Sequence, residues 1–253
     1  MHIIEFCNEI ERIINEQVVD NFPIDWDEDF ITRSILKEFR NKFKKIVIRG
    51  YGNPIHIKWL PYKFTGKPER VFGDIALIVK LQYMDGDTLE GVAFIEAKKR
   101  YKNKINFDTL KFPQLKKILK KASRSMVLLY DYEKITNFVT SHVSNIRLFP
   151  QEFLYSYTPY THSVIIPTNI VTIINKKDTS LYKFSLPFSR QLCFRYLYGF
   201  DLEFQEEAIK IAKGYNIEKI GAPKYLLIIS IAPIKIEYLE EPDFNREVYI
   251  PIE

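Results

Sequence analysis

The sequence predicts an α/β protein, a central mixed sheet flanked by helices with an α+β extension toward the C-terminus, and three observations carry that expectation. Two amphipathic helix patterns occupy residues 3–44. Two apolar, β-rich runs then flank the turn signal Met84-Asp85-Gly86-Asp87, and a further helix pattern and a buried strand follow that hairpin. The order helix, strand, hairpin, helix, strand lays helices against a sheet.

Residues 3–18 carry Ile3, Phe6, Cys7, Ile10, Ile13, Ile14 and Val18 at helical spacing, which predicts the first helix. Pro23 and the acidic residues between Asp25 and Asp29 punctuate the chain. Asp27 is the expected N-cap of a second helix running to about Lys44, with Ile31, Ile35, Leu36, Phe39 and Phe43 as its apolar face. Residues 45–49 read as a short strand, and 50–70, rich in Gly and Pro, as strand pieces and loop. Val71–Tyr83 and Leu89–Ala97 are the arms of the hairpin. A basic loop covers 101–112, Pro113 opens a helix to about Ala122, and Met126–Tyr130 is a short buried strand. Beyond it come strand patterns around Ser163–Ile174 and Tyr182–Leu186, a helix near Asp201–Lys213, and strands at Tyr225–Ala232 and Ile234–Leu239. The chain thus divides near residue 131 into a core, 1–131, and a C-terminal region, 132–253, which either completes the same sheet or serves interaction.

A chain of 253 residues, 46% hydrophobic and 15% aromatic, can bury a substantial core, which excludes a disordered chain. The apolar run Tyr225–Ala232 falls far short of the ~20 residues that cross a bilayer. The first residues form an amphipathic pattern rather than a signal peptide, so the expectation is a soluble cytoplasmic protein. Cys7 and Cys193 stand beside apolar neighbours and are expected to be buried and reduced. His2, His56, His142 and His162 lack metal-ligand spacing, and Gly-rich phosphate loops and a Gly-x-Ser-x-Gly elbow are absent. The aromatic stretch Phe153–Tyr160 reads as core or subunit packing rather than a base-stacking platform.

The net charge of +5 is mild, but its distribution is not. From Lys98 to Arg124 there are eleven Lys or Arg against one acid, Asp108, so the rest of the chain is net acidic. Such a segment is either a solvated face or a contact for a polyanion.

The hairpin carries the chemistry. A turn centred on Gly86 makes antiparallel partners sum to about 172, which sets Asp74 opposite Lys98 and a diagonal step from Glu96. Residues 74, 96 and 98 share parity, so strand alternation points all three side chains to one face. Two carboxylates and an amine embedded in apolar sequence are costly to bury without compensation, and a divalent cation supplies it. Mg²⁺, for which Mn²⁺ can substitute, prefers carboxylate oxygens, polarises a phosphate and acidifies a bound water. The bland reading of the same residues is a solvated cross-strand ion pair.

Asp74 followed by Glu96-Ala97-Lys98 after an apolar strand resembles the PD-(D/E)XK nuclease superfamily, with Gly73 where that motif usually has proline. The resemblance covers about residues 25–131 and implies a restriction-endonuclease-like core. It also implies that Asp74 and Glu96 ligate the metal, with the Ala97 carbonyl as a further ligand, and that Lys98 assists the attacking water. On the second helix, at about 100° per residue, Glu28 falls within the stripe of Ile35 and Phe39 and faces the core. It resembles the superfamily's extra acidic residue that joins the metal or positions water; Asp29 is the alternative. Gln114, at the edge of the stripe of Leu115, Ile118, Leu119 and Ala122, resembles the glutamine many members carry near the site. Lys99, Arg100, Lys102, Lys104, Lys116 and Lys117 would track a phosphate backbone.

The expectation is therefore a Mg²⁺-dependent nuclease acting on DNA rather than RNA, in restriction, defence or repair. A homodimer would let one site per chain cut two strands. Two rivals stand beside it: a nucleic-acid-binding or assembly subunit that does not cleave, and a nuclease subunit silent until a partner protein activates it.

Overall fold

The computed structural model describes residues 1–49, 54–66, 72–107, 109–138, 160–215, 221–233, 235 and 239–253. Helices α1 (Ile3–Asp20) and α2 (Glu28–Phe43) form where amphipathic spacing predicts them. Each starts at a side-chain cap. The His2 ring accepts the Ile4 N–H while Glu5 reaches back to the His2 N–H, and the Asp27 carboxylate accepts the Asp29 N–H at 2.9 Å.

Strands β1 (Ile46–Ile48), β2 (Ile55–Phe64), β3 (Ile75–Gln82) and β4 (Thr88–Lys99) follow, then α3 (Phe112–Lys121) and β5 (Met126–Ile135). β2 is one continuous strand where strand pieces were expected, and β5 runs on to Ile135, beyond the end of its apolar stretch at Tyr130. β6 (Thr161–Pro167) hands over at Pro167 to a helix, α4 (Thr168–Ile174), so the single β-branched run from 163 to 174 is half strand and half helix. Residues Thr179–Phe184 are a 3-10 turn rather than a strand, and β7 is only Leu186–Pro187. α5 (Phe188–Phe194), α6 (Glu206–Ala212), β8 (Tyr225–Pro233) and β9 (Tyr249–Pro251) complete the order. Residues 153–159 of the aromatic stretch, His142, and 234 and 236–238 of the last expected strand lie outside the described residues.

The strands form one mixed sheet in the order β1-β2-β8-β3-β4-β5-β6-β7, with β9 also paired to β2. β8 lies antiparallel to β2 and parallel to β3, and β4 lies parallel to β5. β8 therefore sits in the sheet interior, between two strands from the N-terminal part of the chain. Its continuous apolar run is what a strand covered on both faces and paired on both edges requires.

Apolar layers cover both faces. On one, α1, α2 and α5 bring Phe6, Ile35, Phe39, Phe43 and Leu192 onto Trp59, Leu77, Leu128 and Ile229. On the other, α6 covers Ile78, Phe94 and Ile228, while α3 and α4 cover Val127, Leu129 and Val164. Cys7 and Cys193 are both free and buried. Among the described residues no helix is long and apolar enough to cross a membrane.

Because Ile229 is fully buried and its strand neighbours are Trp59 and Val79, its truncation opens a cavity in the middle of the sheet. Ile229→Ala is expected to cost about 2–5 kcal/mol in urea unfolding. The loss should appear as one shifted transition, because β8 ties the N-terminal strands to the C-terminal part of the chain.

Candidate active site

The β3–β4 hairpin turns through Met84-Asp85-Gly86. It is closed by Tyr83 N–H to Asp87 O at 2.8 Å and Gly86 N–H to Tyr83 O at 3.2 Å, with Gly86 at φ +93°. The turn is centred on Asp85 and not on Gly86, so the register differs from the expected one by a single step of the strand period: Ile75 faces Ile95. Continued outward, that register sets Asp74 opposite Glu96 and leaves Lys98 as the diagonal neighbour. The step preserves parity, so the three side chains still share a face.

Gly73 precedes Asp74 in a conformation that proline cannot take. Its φ is +86°, and a Cβ there would stand 2.7 Å from the Ile95 carbonyl oxygen. Proline, whose ring holds φ negative, does not fit this backbone. The left-handed step lets the Asp74 N–H reach the Ile95 carbonyl at 2.9 Å, while Asp74 Oδ2 accepts the Ala97 N–H at 2.9 Å.

Lys98 is 5% exposed and Glu96 2%. The Lys98 ammonium stands 2.6 Å from Glu96 Oε1 and 3.7 Å from both Asp74 Oδ2 and Glu28 Oε2, and it donates to the Ala97 carbonyl at 2.7 Å. α3 approaches from the face that Glu96 occupies, and Gln114 Nε2 donates to Glu96 Oε1 at 2.8 Å. α2 packs on the opposite face, and its first residue, Glu28, reaches past the strand end. Glu28 Oε1 accepts from the Lys99 N–H at 3.2 Å and from the Thr109 hydroxyl at 2.8 Å. The structure thus brings together Asp74, Glu96, Lys98, Glu28 and Gln114. Asp29, the alternative to Glu28, turns instead toward β8: its Oδ1 is 2.5 Å from Lys224 Nζ and accepts from Tyr225 Oη at 2.7 Å.

The electrostatics follow from burial. Burial first, and then the Asp74 charge, raise the Glu96 carboxyl above the ordinary range, against the pull of Lys98. Burial also raises Asp74, opposed by Lys98 and the Ala97 N–H. For Lys98 burial works downward, but the charges of Asp74, Glu96 and Glu28 outweigh it and hold the ammonium above its ordinary value.

The donors suit a hard divalent cation: two carboxylates and a carbonyl at one strand end. Glu96 Oε2 is buried without a hydrogen-bond partner, an acceptor left open in the site. In the present arrangement the Lys98 ammonium holds the centre and the Ala97 carbonyl. Among the described residues no group of three or more His, Cys, Asp or Glu side chains converges as a metal set. A cation at this place would have to displace the Lys98 ammonium from the Ala97 carbonyl and Glu96.

The basic residues separate. Lys102, Lys104, Lys116 and Lys117 are exposed. Lys99 directs its ammonium to the Trp26 carbonyl. Arg100, expected to track phosphate, is instead 7% exposed, and its guanidinium is bound to Asp131 at 2.9 Å, Glu133 at 2.8 Å and Tyr132 Oη at 2.9 Å. Lys224 and Tyr225 were not foreseen. They line a cleft with Asp27, Glu28, Asp74 and Ala97, because the Tyr225 N–H bonds the Asp74 carbonyl at 2.9 Å. No local signal could reveal a pairing between segments so far apart in the chain.

No protein-family model matches the chain, and neither curated proteins nor solved structures match it.

Two substitutions in the metal-free protein should act in opposite directions. A carboxyl raised in the folded state contributes stability below its ordinary value and loses it as pH rises through the raised value. Glu96→Gln, which mimics the protonated form, should therefore melt above the wild type at pH 8 and lose that advantage near pH 4. Lys98→Met leaves three carboxylates without their cation and should cost about 3–5 kcal/mol at neutral pH. Thermal melts in EDTA across that pH range check both.

Proposed function

We propose that the chain is a metal-dependent nuclease of the PD-(D/E)XK kind, hydrolysing phosphodiester bonds in DNA. The observation that carries this reading is the convergence at one strand end of Asp74, Glu96 and Lys98, with Glu28 and Gln114 delivered by helices on opposite faces. An ordinary surface ion pair needs neither burial to 2% nor supporting side chains from two helices.

In this reading Asp74, Glu96 and the Ala97 carbonyl would hold Mg²⁺ or Mn²⁺, with Glu28 beside them. The bound ion would polarise the scissile phosphate and acidify a water. The chain's own groups divide the remaining work. Lys98 places a mobile positive charge where negative charge grows on the phosphate. Gln114 fixes the orientation of Glu96 through its 2.8 Å bond, and the Ala97 N–H does the same for Asp74 at 2.9 Å. Gly73 lets the Asp74 backbone approach β4.

One observation favours a second reading, a nuclease subunit that a partner activates. Glu96 and Lys98 are nearly enclosed, and Lys98 occupies the Ala97 carbonyl, so the site must open before it works. The third reading, a subunit that binds nucleic acid without cleaving it, needs none of the paired acids.

Purified protein incubated with supercoiled, linear and single-stranded DNA and with RNA, with Mg²⁺ or Mn²⁺ or with EDTA, separates these readings. Metal-dependent cleavage should fall by about 10²-fold or more in Asp74→Asn and in Glu96→Gln, and by about 10–100-fold in Gln114→Ala. Equal activity in the Asp74 and Glu96 variants would refute the reading. Binding without cleavage by the folded wild type would favour the partner-activated or non-cleaving subunit.

A further inference from the structure

Lys111, Lys176 and Lys177 lie on two chain segments that are far apart in sequence but paired in space, and Lys102 stands at the start of the first, its ammonium 5.7 Å from the Phe22 ring. Residues 101–107 follow β4 and Arg100, and residues 109–111 lead into α3; Thr109 borders the candidate site, where its hydroxyl bonds Glu28 at 2.8 Å. Residues 105–107 are paired like a short strand with the segment after α4. The Phe107 N–H donates to the Lys177 carbonyl at 2.7 Å, the Thr179 N–H donates to the Ile105 carbonyl at 3.0 Å, and Asn106 bridges Asp178.

The assembly is anchored from beneath. Phe107 and Leu110 are fully buried in the cluster that also holds Leu181 and Tyr182. Asn175 takes the left-handed conformation, φ +54°, at the end of α4 and turns the chain so that Lys176 and Lys177 follow at the junction. Lys102, Lys111 and Lys176 are exposed, and Lys177 lies 5.1 Å from the Phe112 ring.

None of these four lysines is in an ion pair among the described residues. The neighbouring acid, Asp178, uses its carboxylate to cap the Ser180 N–H at 2.9 Å. Arg100 is neutralised by Asp131 and Glu133, and Lys176, which after the Ser180 hydrogen bond helps to hold the Asp178 carboxyl below its ordinary value, makes no ion pair with it.

We infer that residues 101–107, 109–111 and 175–179 form a pre-organised cationic clasp for the phosphate backbone of DNA leading away from the candidate site, with Lys176 and Lys177 as the C-terminal half's contribution. The identity of the ligand rests on the nuclease reading. A clasp whose backbone is held by pairing and by buried aromatic and aliphatic anchors spends little backbone freedom on binding, so only the lysine side chains need ordering to make phosphate contacts.

The test is fluorescence anisotropy of a labelled DNA duplex in EDTA, where cleavage does not intrude, over a series of salt concentrations. Lys176→Ala/Lys177→Ala should weaken binding by about tenfold or more and make the slope of log affinity against log salt shallower by about 1.8. Lys44→Ala/Lys45→Ala, at the far end of α2, removes the same charge and should leave both unchanged. The backbone pairing needs only the Lys177 carbonyl, and melting temperatures confirm that both variants fold. Unchanged affinity and slope in the Lys176/Lys177 variant, or an equal loss in the Lys44/Lys45 variant, overturns the clasp and leaves the nuclease reading standing. A wild type that binds no duplex at low salt overturns the clasp, and the nuclease reading then stands or falls on the cleavage assay.

Discussion

One buried ammonium organises the candidate-site end of this molecule. Lys98, at the edge of β4, lies among the carboxylates of Glu96, Asp74 and Glu28, and through them it ties β4 to β3 and to the first turn of α2. An uncompensated buried charge costs several kcal/mol even after relaxation. The carboxylates and the amine are therefore conditions of one another's burial. α3 is drawn into the same arrangement by Gln114, whose amide satisfies the Glu96 oxygen that also contacts Lys98. The second Glu96 oxygen stays unsatisfied, the kind of local cost that structures carry where a site has a ligand to bind.

The hairpin beneath this cluster is governed by backbone stereochemistry at two glycines. Gly86 supplies the positive φ that a three-residue turn needs, and that turn fixes the register. Gly73 supplies another and allows the chain before β3 to press against the Ile95 carbonyl. A proline before the aspartate would occupy the same place in sequence and forbid this contact. Glycine rather than proline at this position thus has a local mechanical reason.

The C-terminal half enters the site end twice. β8 inserts between β2 and β3, and the chain at its start brings Lys224 and Tyr225 against Asp74 and Asp29. The segment after α4 pairs with the basic loop that follows β4. Both contacts are backbone ladders, which need only extended chain and matching edges, so no residue type announces them. Arg100 teaches the converse. In sequence it continues a run of cations, yet the parallel neighbour of β4 places Asp131 beside it and the guanidinium is neutralised in the interior.

Sequence alone determined the elements with a strong local period and the grouping of the acidic and basic residues on the hairpin. Helical spacing marks α1 and α2, and Asp27 and Pro113 mark helix starts. Parity binds residues 74, 96 and 98 to one face whatever even register the turn selects. It could not separate β6 from α4, because Val164–Ile174 is rich in β-branched residues throughout and only packing against β5 and α3 decides where strand becomes helix. Nor could it choose which cations stay exposed, where β8 joins the sheet, or that Glu28 rather than Asp29 meets Lys98. Those outcomes depend on long-range pairing and burial. Local periodicity says which face of a segment is apolar, whereas the identity of the group that compensates a buried charge is set only when distant segments close around it.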